Sequence, residues 1–494
     1  MKISLMPRAA PSGCARIWIG ILAPRAPALT WFLDGNPVAP ARILPLRPLA
    51  SAIPAELLGA LPADNFIGVF EISDLDPGTT YLVSVRASMP DAAASAELRT
   101  RTLLSSVPSL LDGTFNVLLA SCFYQAEDKT GQAGVFAGQL NGAARPDLTL
   151  LLGDQVYLDL PTLANFPDDA AALARRFEGD YRANWQGEAG YSQLLRLAPA
   201  VSVPDDHEYW NNFPHGSPFI QNSWTQSGRD NWTAAAAALY KAFQFSYEPE
   251  AYYHGGPAEL GDASVIDVEP LSFFLADGRS KRDPGRATVL TARGKEQLEH
   301  WVSDSIQKRH IGIFVTGQSM LDSPAGGLKG TLAGYQLSNY GDFSDITHAL
   351  GRFAEAGLPI IMITGDVHWG RVAAARDART GRESIFEIIS SPTSLVSTVG
   401  KDQLIALQGK ITGQTEAWPR HSSPGSVPKF LWFGNFGARF VCSRMHEQRG
   451  NHFALLSFAR SGAGVRLRTT YHPIHEDLNL RKPQAVREIT LIPA

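Results

Sequence analysis

Four short segments, far apart in the chain, combine residue types that hold metal ions: Ser121-Cys122, Gly153-Asp154-Gln155-Val156-Tyr157, Asp205-Asp206-His207-Glu208 and Gly365-Asp366-Val367-His368. Carboxylate, imidazole, thiolate and phenolate are the oxygen, nitrogen and sulfur donors of protein metal sites. The segment Asp205–Glu208 packs three carboxylates and an imidazole into consecutive positions, a concentration of like charge that a cation or an ion pair has to offset. Taken singly, each segment has a plainer explanation. Gly153-Asp154 is a common turn, Tyr157 a packed aromatic, Asp366 and His368 a surface salt-bridge pair, and Cys122 a small buried hydrophobe. The neighbours Val201-Ser202-Val203 and Tyr209-Trp210 read as buried, however, and desolvation penalises unpaired carboxylates between such flanks. Taken together, the segments point to a metal centre.

Each segment follows an apolar run: Asn116–Ala120, Leu148–Leu152, Val201–Val203 and Pro359–Thr364. Such runs, bounded by loops, read as buried strands. In open α/β sheets ligands bind beyond the carboxyl ends of the strands, so four strands ending together would bring four reactive loops to one edge. If the extended backbone continues past Thr364, alternation puts Asp366 and His368 on the same side.

The chain of 494 residues exceeds one ordinary core and suggests two or more domains at about 100–200 residues each. Hydrophobic residues make up 44% and charged residues 19%, with a mean hydropathy of −0.09, as in globular proteins. No apolar run approaches the roughly 20 residues needed to span a bilayer. Lys+Arg 44 against Asp+Glu 48 leaves a net charge of −4, which does not favour nucleic acid as a nonspecific partner. Three cysteines, Cys14, Cys122 and Cys442, cannot build a disulfide framework. Residues 1–11 show neither an apolar signal core nor paired arginines, so a cytoplasmic location is expected, or a periplasmic or secreted one if a leader has been trimmed.

Residues 1–104 carry short strands at Ala15–Gly20, Pro27–Phe32 and Phe66–Phe70, broken by Pro and Gly, and are expected to form a small all-β unit. Leu75-Asp-Pro-Gly-Thr-Thr-Tyr81 resembles the tyrosine corner of a fibronectin type III sandwich, in which the hydroxyl of Tyr81 pins the backbone. From Phe115 onward, strands alternate with helical patterns at Asp169–Trp185, Trp232–Tyr247 and Thr291–Gln307, giving an α/β unit over 105–494. Segments His215–Gly228 and Asp322–Ser344 read as long loops, and Lys429–Phe433, Phe453–Ala459 and Val465–Tyr471 as strands completing a second sheet.

The order of the motifs SC, GDxxY, DDHE and TGDVH resembles the PhoD-type alkaline phosphatases, a branch of the calcineurin-like metallophosphoesterases. The resemblance implies a four-layer αββα sandwich of two mixed sheets behind the amino-terminal β-sandwich. It also implies that Cys122, Asp154, Tyr157 and His368 hold iron(III), with Asp154 bridging to calcium. Asp206 and Asp366 stand where the superfamily usually has Asn and His, and as carboxylates they suit calcium better than zinc or manganese, which remain possible. The implied activity is phosphoester hydrolysis by in-line attack of a metal-bound hydroxide on a small phosphoester, with His207 as general acid, its ring oriented by Asp205 or Glu208. Asp277, Arg279 and Arg282 keep the spacing of a family Asp-x-Arg-x-x-Arg stretch, which makes Arg279 and Arg282 substrate-binding candidates, with a surface ion-pair cluster as the alternative. Ile311–Val315 leads to Gln318 where superfamily members usually place a histidine ligand. His215 is a candidate for the substrate entrance, whereas His254, His300, His310 and His348 read as structural. A silent metal-binding protein on the same fold and a metallohydrolase of acyl substrates stay open as rival functions. Monoester or diester preference and oligomeric state are not legible.

Overall fold

The computed structural model describes residues 1–49, 62–161, 164–245, 263–321, 337–378, 380–394, 440–475 and 482–493. The strand expected at Lys429–Phe433, His254 and most of the loop from Asp322 lie outside them.

The chain begins with β1 (Lys2–Arg8), β2 (Ala15–Leu22), β3 (Ala28–Leu33), β4 (Asn36–Val38), β5 (Ala41–Pro48), β6 (Asn65–Ile72), β7 (Thr80–Met89) and β8 (Ala92–Arg101). Strands β3, β4, β7 and β8 make a four-stranded sheet that packs on one face of β1, β2 and β6. Alternation sorts the side chains: Ile17, Ile19 and Ile21 of β2 meet Trp31, Val83 and Val85 across this sandwich, while Trp18 points the other way. The hydroxyl of Tyr81 accepts the Asp76 amide at 3.0 Å, as a tyrosine corner requires. One sheet of the sandwich runs on without a break, because β1 pairs in parallel with a later strand at Arg8 and Ala200.

That later strand is β11 (Ala200–Val203), which lies beside β10 (Leu148–Leu152), itself beside β9 (Phe115–Ala120), all parallel and buried at every position. Continuous apolar strands of this kind form only where both sheet faces are covered. Helices α1 (Gln132–Ala137), α2 (Ala170–Trp185), α3 (Tyr191–Leu195) and α4 (Gln226–Phe243) cover one face. Helix α2 starts behind Asp169, whose carboxylate caps it by accepting the Ala172 amide at 2.8 Å. Helix α4 starts earlier than the apolar pattern suggests, because Thr225 caps it by accepting the Gly228 amide; the expected loop His215–Gly228 therefore ends at Thr225.

The second sheet is built from β12 (Ala263–Val268), β13 (Leu271–Ala276), β14 (Ile311–Val315), β15 (Ile360–Thr364), β16 (Gly370–Asp377), β17 (Glu383–Ile389) and β18 (Phe440–Gln448). Helices α5 (Ala292–Gln307) and α6 (Phe343–Glu355) cover its outer face, with Trp301, Leu350 and Phe353 against Phe314 and Met362. The inner faces of the two sheets meet through Val117, Leu119, Leu150, Phe273, Ile313 and Ile363, giving four layers, α/β/β/α, as expected. The carboxyl-terminal strands β19 (His452–Ser461) and β20 (Gly464–Pro473) differ from expectation. They extend the first sheet, with β19 antiparallel to β9, rather than completing the second. Hydrophobic period identifies a strand but not the sheet it joins. Among the described residues no helix is long and apolar enough to cross a membrane.

His452, at the start of β19, is fully buried; its Nδ1 lies 2.7 Å from the Gly450 carbonyl, and burial pushes its pKa down to about 4. The unfolded chain, with an ordinary histidine near 6.5, binds the proton first, so this residue stabilises the fold fully above about pH 6.5. That stability is lost as pH falls toward 4, amounting to about 3 kcal/mol. Urea denaturation of His452→Gln across pH 4–7 is expected to show a shallower decline than the wild type, and identical slopes would refute this assignment.

Candidate metal centre

The four motif segments converge at the carboxyl ends of the parallel strands of both sheets. Cys122 follows β9, Asp154 follows β10, and the Asp206–Glu208 turn follows β11. Gln318 follows β14 and Asp366 follows β15. Glycines allow the approach. A Cβ on Gly153 would lie 2.5 Å from that of Asp205, and one on Gly365 would lie 2.4 Å from the Leu152 carbonyl and 2.5 Å from Ser121 Oγ.

Oxygens of Asp154, Asp205, Asp206 and Asp366 lie within 4.8 Å of one another, and a second such group joins Asp154, Asp206 and a His207 nitrogen. Burial, together with Asp206 and Asp205, raises the Asp154 carboxyl well above the usual range. Burial also raises Asp205 to about 8, against Arg279, and Asp366 to about 6, with Asp206 adding to the rise. So many carboxylates cannot all ionise at this spacing without positive charge among them.

The backbone is left-handed at Cys122 (φ 53°), Asp154 (56°), Asp366 (65°) and His368 (60°). Four of the six expected ligands therefore adopt a conformation that side chains with a Cβ seldom adopt, of the kind found where geometry at a site overrides local preference. The turn at Asp366 also ends the extended run, so the alternation expected to carry Asp366 and His368 to one side does not apply. His368 is in neither group of mutually close donors.

Cys122 Sγ lies 3.4 Å from Asp154 Oδ2 and receives hydrogen bonds from Ser391 Oγ at 3.1 Å, with Ser121 Oγ at 3.2 Å. Burial raises its pKa well above the ordinary thiol. Tyr157 packs with Cys122 and lies over the His207 ring with centroids 4.2 Å apart, and its buried Oη has no hydrogen-bond partner among the described residues. A buried thiol and an orphaned phenol beside a carboxylate fit a cation that takes soft and hard donors together.

The group that orients His207 is neither Asp205 nor Glu208. Asp159 holds His207 Nδ1 at 2.7 Å with one oxygen and the Asn211 amide at 2.9 Å with the other. Asp159 lies five residues past Asp154, outside the motif, and sequence spacing alone gave no sign of it. Glu208 instead acts as a backbone clamp: its carboxylate accepts the amides of Asp154 at 2.8 Å, Gln155 at 2.6 Å and Asp205 at 2.9 Å. Asp205 pairs with Arg279, Nε to Oδ1 at 2.6 Å. Glu387 repeats the clamp in the second sheet, accepting the Met320 amide at 2.6 Å and that of Leu321 at 3.1 Å while paired with Arg371.

Arg279 and Arg282 are buried, not part of a surface cluster. Arg279 Nη1 also donates to the Phe213 carbonyl at 2.8 Å. Arg282 Nη2 donates to Gln318 Oε1 at 3.0 Å, and Gln318 Nε2 donates to Asp366 Oδ2 at 3.1 Å, which fixes the amide orientation between cation and carboxylate. The Arg282 guanidinium also lies 4.9 Å over the Tyr340 ring, and the Tyr340 hydroxyl is 3.0 Å from His215 Nε2.

No family model and no curated protein matches the chain. Among solved structures it superposes on PhoD with a TM-score of 0.62 at 13% identity, covering 99% of this chain and 88% of that one. It superposes on the purple acid phosphatase PPD1 from seeds of yellow lupin, Lupinus luteus, with a TM-score of 0.55 at 11% identity, covering 98% and 74%. The chain thus has the fold that PhoD and this purple acid phosphatase share.

If Glu208 organises the loops, Glu208→Gln turns an NH₂ toward donor amides. The expected loss is about 2 kcal/mol of unfolding free energy in urea denaturation, and an unchanged midpoint would show that the amides find other partners.

Proposed function

We propose that the chain is a metal-dependent phosphoester hydrolase of the PhoD-type branch of the calcineurin-like metallophosphoesterases. The observation that carries this reading is the buried cluster of Asp154, Asp205, Asp206, Asp366 and His207 donors, set at the strand ends of a fold shared with two phosphatases. On this reading, residues 105–494 form the catalytic unit and 1–104 a fibronectin type III-like sandwich in front of it.

The donor set divides by chemistry. Cys122, Tyr157, Asp154 and His368 suit iron(III), and Asp154, Asp206 and Asp366 suit calcium, with zinc or manganese less well matched to so many carboxylates. When bound, the cations acidify water and neutralise the charge that develops on phosphoryl oxygens. His207 serves the leaving group. With Nδ1 tied to Asp159, its Nε2 is the nitrogen left for proton transfer to the leaving oxygen. Both arginines carried by the resemblance as substrate contacts are held by the protein, Arg279 by Asp205 and the Phe213 carbonyl and Arg282 by the Gly278 carbonyl and Gln318. The substrate is a small phosphoester.

Hydrolysis of a nitrophenyl phosphate monoester and the matching diester, with iron and calcium supplied, tests the reading. Wild type is expected to turn over at least one, and His207→Ala to lose about 10²–10⁴-fold in kcat/KM. Hydrolysis of acyl esters with both phosphoesters spared would overturn it. Iron(III) bound by Tyr157 predicts a visible charge-transfer band that shifts or weakens in Tyr157→Phe; an iron-free, colourless enzyme of full activity would rule the iron out.

A further inference from the structure

Asp205 is the one carboxylate of the cluster that the proposed function leaves without a task. Its side chain is 1% exposed, and Oδ1 is held by Arg279 through Nε at 2.6 Å and Nη2 at 2.5 Å. Oδ2 is buried and has no hydrogen-bond partner among the described residues. A bare carboxylate oxygen in a dry interior keeps its full desolvation penalty unless a cation meets it. A purely structural ion pair would satisfy both oxygens or leave one to solvent.

The position is built with care. A Cβ on Gly153 would lie 2.5 Å from Asp205 Cβ, and one on Gly317 would lie 3.0 Å from it, so glycines on two neighbouring strand ends make the room that Asp205 occupies. There an Asp205 oxygen lies within 4.8 Å of oxygens from Asp154, Asp206 and Asp366. The task first expected of Asp205, orienting His207, belongs to Asp159.

We propose that Asp205 is a direct ligand of a hard, oxygen-seeking divalent cation, holding it through Oδ2 together with Asp154, Asp206 and Asp366 while Arg279 holds Oδ1. This assignment rests on the metal-centre reading above. Four carboxylates make an all-oxygen donor set, which suits calcium or a cation of similar hardness and disfavours zinc. Arg279 then serves as the fixed positive charge that lets a fourth carboxylate join the site, rather than as a clamp on substrate.

The test is terbium(III) luminescence on the full chain, with terbium standing in for a calcium-like ion and its lifetimes in H₂O and D₂O counting coordinated waters. Asp205→Asn keeps an oxygen for Arg279 and replaces only the charged Oδ2. It is expected to bind at least about tenfold more weakly and to carry one additional coordinated water. Should that variant not fold, as judged by circular dichroism melting, Asp205→Ser, smaller and compatible with the close glycines, takes its place with the same expectation. Equal affinity and hydration in variant and wild type would overturn the role of Asp205 alone. A wild type that binds neither terbium nor calcium would overturn it together with the metal centre.

Discussion

Four carboxylates brought within 4.8 Å of one another in a buried site are the constraint on which the rest of the centre depends. Their mutual repulsion and lost hydration oppose folding unless positive charge and hydrogen-bond donors are fixed around them. The surroundings supply both. Arg279 meets Asp205, and Arg282 reaches Asp366 through Gln318. The Asp206 carboxylate accepts the Asn212 amide at 2.6 Å, and Asp154 Oδ1 accepts the His207 amide at 3.0 Å.

The same demand explains the backbone. Loops that turn left-handed at Cys122, Asp154, Asp366 and His368 direct their side chains inward at some conformational cost, which Asp and His bear more readily than most residues. Buried Glu208 holds the turn at Asp154, and buried Glu387 gathers the Met320 and Leu321 amides of the loop after β14, groups that would otherwise lie unpaired. Glycines at 153, 317 and 365 let the strand ends close to distances that a side chain would forbid. Left-handed turns, clamps behind them and missing Cβ atoms between them are thus parts of one arrangement.

Legibility varied with the range of the interaction. Strands β9, β10, β11, β14 and β15 were readable because strands buried on both faces are continuously apolar. Helix α2 was readable because Leu173, Phe177 and Tyr181 recur at helical spacing on the face it buries. The run Asp205–Glu208 was recognisable as chemistry from its charge density, yet its members divide into two clustered carboxylates, a histidine tied to Asp159 and a backbone clamp. Nothing in four consecutive residues distinguishes those tasks. Asp159 was missed for the same reason: an aspartate in a loop is ordinary until His207 folds against it.

The sequence by itself determined that buried strands alternate with amphipathic helices, that strand ends carry metal donors, and that Tyr81 pins a turn, because these follow from local periodicity and side-chain chemistry. Only the tertiary structure decided that β19 and β20 join the first sheet, that β1 continues it, and that Asp159 meets His207. It also decided that Asp205 pairs with Arg279 while lying among the clustered carboxylates. Each of these depends on contacts between residues tens to hundreds of positions apart, and a pattern that repeats every two or 3.6 residues carries no information about which distant partner a side chain will meet.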